Sequence, residues 1–184
     1  MSERSGPVIV LLRGINVGGH GRLPMDELTR ILQELGLEDI ATYIQSGNAV
    51  GRMVGAPSPT LGEDIASAVQ ERRGFRPQVL VLAVDRLHEA IDANPFPEAA
   101  ADPKSLHLWF LAEEPSSPDM ESLARVASAS ERFRLAGDVF YLHAPDGVGR
   151  SKLAASVEKF LGVAATARNW RTVQKLREMA EAVP

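Results

Sequence analysis

Two short stretches near the end of the chain put paired cations where a helix is expected to begin. In Gly149-Arg150-Ser151-Lys152 a glycine-rich run leads into a helix whose natural N-cap is Ser151, with Arg150 and Lys152 on either side of it. Arg168-Asn169-Trp170-Arg171 repeats the arrangement at the start of the last helix, with Asn169 as the cap. A helix N-terminus carries partial positive charge, so each cation there costs ~0.3–1 kcal/mol. An anion bound on the free N–H groups reverses that penalty. Two such violations so close together point to a site for a phosphate or carboxylate. Trp170 between them is either a core anchor or a stacking platform for a base or sugar.

Other polar residues stand at the ends of apolar runs. In "LLRGINVGGHGRLPMDEL" Arg13 and Asn16 follow a buried strand, and in "TYIQSGN" Gln45, Ser46 and Asn48 occupy a turn. The first stretch fails as a dinucleotide fingerprint, since Pro24 replaces the third glycine of G-x-G-x-x-G. It fails as a phosphate loop too, because no lysine follows its last glycine. Its glycines are explained by a tight connection that needs positive φ. Ser46 is not in a G-x-S-x-G elbow, because Ile44 stands at the first glycine and Gly47 follows Ser46 directly. Ser151 and Lys152 are adjacent on a helix and diverge, so they make no dyad. The alternating Glu113-Glu114 is a poor acid/base pair. His20, His88, His107 and His143 are scattered, none at metal-ligand spacing. No metal, cofactor or general base is assigned, and whether the chain is an enzyme stays open.

The elements that must position these residues are legible as a repeated pattern. Val8–Leu12 is a fully apolar strand. Pro24 suits a first helical position, and Leu28, Ile31, Leu32 and Leu35 form a helical stripe closed by Gly36. "IATYIQSGNAVGRMV" reads as a hairpin, Thr60 to Glu63 has capping-box spacing for a helix to about Arg73, and Val79–Val84 is a second apolar strand. Asp85 caps a connecting helix. The pattern then recurs: strand Leu106–Leu111, a helix opened by Ser117 and Pro118, a hairpin of Arg132–Leu135 and Val139–Leu142, helix Ser151–Leu161, strand Ala165–Arg168 and a last helix from Trp170. The expectation is an α+β chain of two tandem ferredoxin-like β-α-β-β-α-β halves, residues 1–98 and 99–184, each with an extra helix and packed as one compact unit. The boundary lies in the Ala- and Pro-rich stretch from Pro97 to Pro103. The central strands, apolar on both faces, need cover on the second face as well, by the other half or another subunit.

Composition narrows the function classes. The chain of 184 residues has no cysteine, which removes disulfides, thiolate metal sites and a cysteine nucleophile. No apolar run approaches the ~20 residues of a membrane helix, and "MSERSGPVIVLL" lacks the form of a signal peptide. A cytoplasmic protein with no membrane partner is expected. The net charge of -4 hides an asymmetry: residues 146–184 hold seven Lys/Arg against four Asp/Glu. A locally basic end on an acidic chain fits a focused anion site better than a broad nucleic-acid surface.

With "LLRGINVGG", "TYIQSGN", "NPF", "GRSKL" and "TARNWRTVQKL" in order, the chain resembles the bacterial family called domain of unknown function 1697, from Val8 to about Met179. The resemblance implies a fold of ferredoxin-like halves and no particular reaction. Arg171 stands where the family more often has Asn, and His20 where Lys is common. The grouping of motifs yields one expectation: Arg13, Asn16, Gln45, Ser46, Asn48, Arg150, Ser151, Lys152, Arg168, Asn169 and Trp170 surround a groove between the halves that binds a small phosphate- or carboxylate-bearing ligand. The alternatives are a nucleic-acid-binding protein and a non-catalytic interaction or assembly module.

Overall fold

The computed structural model describes residues 6–53, 55 and 58–184. The first five residues of "MSERSGPVIVLL", and Val54 at the end of the hairpin stretch, lie outside them. The chain runs β1 (Pro7–Arg13), α1 (Met25–Glu34), β2 (Leu37–Tyr43), β3 (Asn48–Met53), α2 (Leu61–Arg73), β4 (Gln78–Ala83) and α3 (Val84–Asp92). After a 3-10 turn at Pro97–Ala101 come β5 (Leu106–Leu111), α4 (Met120–Val126), β6 (Arg132–Ala136), β7 (Val139–His143), α5 (Lys152–Leu161), β8 (Ala165–Asn169) and α6 (Trp170–Glu181). Two four-stranded antiparallel sheets result, ordered β2-β3-β1-β4 and β6-β7-β5-β8. Both orders are consistent with tandem ferredoxin-like halves, each followed by an extra helix, α3 or α6.

The described residues up to His88 form one compact unit together with Lys175–Pro184, and Glu89–Gln174 form a second, so the chain changes unit inside α3 and again inside α6. In the first unit Val8, Val10 and Leu12 pack with Leu28, Ile31 and Leu32 of α1 and with Leu61, Ile65 and Val69 of α2. In the second, Trp109, Leu111, Phe140 and Leu142 pack with Leu123 of α4 and with Leu153, Val157 and Leu161 of α5. Each such side chain contributes ~1.5–3 kcal/mol on leaving water. The opposite faces are equally dry: Ile9 and Leu11 of β1, and Leu108 and Phe110 of β5, are buried. Val8–Leu12 and Leu106–Leu111 are therefore strands buried on both faces, whereas Val79–Val84, expected to be the same, forms the edge strand β4 with only Leu82 buried and with Val84 already in α3.

Several helix starts differ from their sequence signatures. Pro24 is the extended residue before α1 rather than its first helical position. Thr60 precedes α2 without capping it: its hydroxyl donates to Asp64, while Glu63 pairs with Arg76, so no capping box forms. Asp85 lies in the first turn of α3, which begins at Val84. In α4, Asp119 supplants Ser117 and Pro118, its carboxylate accepting from the Ser122 N–H at 2.9 Å. A carboxylate is the stronger acceptor for the first-turn donors.

His107 sits on the face of β5 that carries Trp109, with the rings 6.0 Å apart, and its Nδ1 has no hydrogen-bond partner among the described residues. Burial pushes this imidazole down to about 4 from its ordinary 6.5. The unfolded chain then takes up the proton first, so stability falls as pH drops from 6.5 toward 4 and gains nothing from this group above 6.5. The cumulative loss is ~3 kcal/mol at about 1.4 kcal/mol per unit. Urea denaturation at a series of pH values should show that fall, and His107→Gln should flatten it; an equal fall in both proteins would show that His107 is not the source.

Candidate functional site

The polar residues of the first unit gather at one end of its sheet. The loop after β1 needs left-handed backbone at Gly14, Asn16, Gly18, Gly19 and Gly21, and Asn is among the few side chains that tolerate it. Asn16 donates from Nδ2 to the carbonyls of Leu23 (2.9 Å) and Gln45 (2.8 Å), and its Oδ1 accepts from the Leu23 N–H at 2.9 Å. Both amide hydrogens are thus committed to the protein's own backbone. Asn48, fully buried, donates to the Tyr43 carbonyl at 3.1 Å and to Ser46 Oγ at 2.8 Å. Gly47 between them has φ +78, and a Cβ there would lie 2.6 Å from Leu12 Cβ. The Leu12 N–H donates to the Gly47 carbonyl at 2.8 Å, which draws the turn onto the end of β1. Arg13 donates to Gln78 Oε1 at 2.9 Å, and Gln45 is exposed. Asn16, Gln45, Ser46 and Asn48 are therefore brought together, as a clamp between two loops.

In the second unit the segment before α5 behaves differently. Ser151 caps the helix, its Oγ accepting from the Ala154 N–H at 2.9 Å. The first turn of α5 has no acidic residue, whereas α1 begins with Asp26 and Glu27 and α2 with Glu63 and Asp64. Arg150 and Lys152 are exposed, and neither makes a hydrogen bond or ion pair with the described residues. They border an open cavity of about 950 Å³. One wall is Asp146, Gly147 and Gly149 to Lys152; the other is Arg125, Val126, Ala127, Ser128 and Glu131. Arg125 lies 3.6 Å from Glu121 on its own helix. The two carboxylates of the cavity are each held by a donor: Glu131 accepts from the Ser128 N–H at 2.8 Å and Asp146 from Ser130 Oγ at 2.6 Å. The site thus offers three cations, a helix end and two carboxylates already engaged by local donors.

The β8–α6 junction is built as a folding element. Asn169 Oδ1 accepts from the Thr172 N–H at 2.9 Å and caps α6, as its position implied. Arg168 donates to the Ala167 carbonyl at 2.8 Å, and burial pushes its guanidinium down to about 10, still a cation at neutral pH. Trp170 is buried at 8% exposure, so its ring faces core rather than solvent. None of these three lines the cavity beside α5. Sequence reasoning missed Arg125, Glu131 and Asp146 as cavity residues. A topological signal was available: adjacent helices of a β-α-β-β-α-β unit run antiparallel, which sets the last turn of the first beside the first turn of the second.

The chain belongs to the family described as "Protein of unknown function (DUF1697)", whose family model matches residues 6–141. The "GRSKL" and "TARNWRTVQKL" segments lie beyond that match. A solved structure of the conserved bacterial protein SP0830 from Streptococcus pneumoniae is similar with a TM-score of 0.63 and 21% identity, covering 95% of this chain and 98% of that one. At that identity it shows the fold alone. A putative glycine cleavage system transcriptional repressor, 12% identical over 91% of this chain and 98% of its own, has a TM-score of only 0.25. Among curated proteins none matches. Among the described residues no helix is long and apolar enough to cross a membrane, and no three His, Asp or Glu side chains cluster as metal ligands.

The clamp makes its own prediction. Asn16→Ala strips partners from both main-chain groups of Leu23 and from the Gln45 carbonyl, at a cost of ~1–3 kcal/mol. The midpoint of urea unfolding should fall accordingly with its slope unchanged. A midpoint equal to wild type would mean that the loops do not depend on this side chain.

Proposed function

We propose that the protein binds a small anionic ligand, bearing phosphate or carboxylate, in the cavity beside the first turn of α5. The observation that carries this reading is the cavity of about 950 Å³ with Arg150 and Lys152 at its edge, both without internal ion pairs among the described residues. Three further features support it. The helix end presents N–H groups beyond the one used by Ser151, and its dipole favours an anion. Val126 and Ala127 give the cavity an apolar patch suited to the body of a metabolite. Glu131 and Asp146 can accept from hydroxyl or amino groups on the same ligand, which favours a polyfunctional compound such as a sugar phosphate or nucleotide over a bare ion. A role in catalysis is not part of the proposal, since no base is poised against a defined reacting atom. A cytoplasmic setting is part of it, in keeping with a chain that contains no cysteine. Against a nucleic-acid role, Trp109, Phe110, Phe140 and Tyr141 of the second sheet are all buried and offer no face to a base.

Thermal unfolding in the presence of inorganic phosphate, sulfate, sugar phosphates and nucleotides tests this. A ligand at a hundredfold excess over its Kd stabilises by about 2.7 kcal/mol, which for this chain length raises Tm by ~5–10 °C. Lys152→Ala and Arg150→Ala should each reduce that rise without lowering the Tm of the free protein. No rise with any of these compounds, or a rise that both variants retain in full, would defeat the proposal.

A further inference from the structure

We propose that the ligand of the α5 cavity is a zwitterion, an organic phosphate or carboxylate that also carries a protonated amine. The inference rests on the anion site proposed above and assigns the acidic groups of the same cavity. Arg150 and Lys152 line that cavity together with Glu131 and Asp146, and none of the four makes an ion pair among the described residues. Opposite charges around one open space attract, yet here they are kept apart. Glu131 accepts from the Ser128 N–H at 2.8 Å, and Asp146 accepts from Ser130 Oγ at 2.6 Å. The two serine hydroxyls lie 3.2 Å from one another. One serine-rich segment between α4 and β6 thus holds both acids.

At other places in the chain Glu27, Glu34 and Glu98 reach another segment, and each meets an arginine there. Asp146 also reaches another segment, but it ends on a neutral hydroxyl. Its charge and that of Glu131 are left for a cation from outside. A hydroxyl group can satisfy the open lone pairs of these acids. Only a cation also neutralises two like charges in one cavity. A protonated amine brings both the donors and the charge. The amine then sits against Glu131 and Asp146, while the anionic group sits on Arg150, Lys152 and the first turn of α5. Val126 and Ala127 offer apolar contact to the carbon skeleton.

Isothermal titration in EDTA with matched pairs tests this: glucosamine 6-phosphate against glucose 6-phosphate, and phosphoethanolamine against ethyl phosphate. In at least one pair the amine should bind about tenfold tighter, the gain of a charge-assisted hydrogen bond at a partly solvated site. Glu131→Gln with Asp146→Asn should abolish the preference while binding the amine-free phosphate at least as tightly as wild type. That second readout shows that the doubly substituted protein is folded. Lys152→Ala should weaken both members of a pair by the same factor. Equal binding of the amine and amine-free phosphates overturns this proposal and leaves the anion site standing. So does a preference that the double substitution retains, or one that appears only when magnesium replaces EDTA. If none of the four compounds binds, the proposal falls; the anion site falls with it only when inorganic phosphate also fails to bind.

Discussion

Burial of β1 and β5 on both faces is the constraint on which the rest of the structure depends. Val8, Val10 and Leu12 face one way and Ile9 and Leu11 the other, and none is more than 3% exposed. Each strand is flanked by two hydrogen-bonded neighbours, so its backbone is satisfied without water. A strand of this kind has no place in its middle for a polar side chain that acts on a ligand. Chemistry is pushed to strand ends, turns and helix termini, where every candidate polar residue is found. His107 is the exception that shows the rule: placed within β5, its imidazole is driven toward the neutral form.

The ends of the two sheets solve different problems. After β1 the chain reverses through five left-handed residues, and such a loop exposes backbone groups that need partners. Asn16 bonds both main-chain groups of Leu23 at the end of that loop, and Asn48 bonds the Tyr43 carbonyl in the facing turn, so their polarity is spent on architecture. Before α5, Ser151 takes one N–H of the first turn, and no carboxylate there takes the rest. With Arg150 and Lys152 added, the local field favours an anion. At α1 and α2 the chain's own carboxylates meet that need. The contrast between helix starts carries the functional argument better than the glycine content of either loop.

Much of this was legible in the residues because it follows from local rules. Apolar runs, turn glycines and helical stripes identified the eight strands and their repeated order. Ser151 and Asn169 were recognisable as caps because their side chains suit an acceptor role just ahead of a helix. What escaped depends on packing between distant segments. Arg168 and Trp170 look like a cation and an aromatic at an open helix end, but Trp170 is buried and Arg168 is half-buried and partly desolvated, and burial is not a local property. Asn16 looks like a ligand-reading amide until its partners, seven and twenty-nine residues away, are known. The α4 wall of the cavity became visible only once antiparallel helices set Arg125 beside Ser151.

The family relationship and the candidate site are carried by different parts of the chain. The matched residues, 6–141, contain "LLRGINVGG" and "TYIQSGN", whose polar members form the clamp and whose Gly47 has no room for a side chain. Architecture accounts for Asn16, Asn48 and Gly47 in those motifs: replacing Asn16 or Gly47 would break the junction of two loops with the end of a doubly buried strand. The cations at α5 have no such structural reason. Arg150 and Lys152 make no hydrogen bond or ion pair with the described residues, oppose the dipole of the helix they flank, and stand beside open space. A residue whose position costs stability and serves no packing is better evidence of function than one the fold requires. By that criterion the search for a ligand belongs at α5, outside the matched segment.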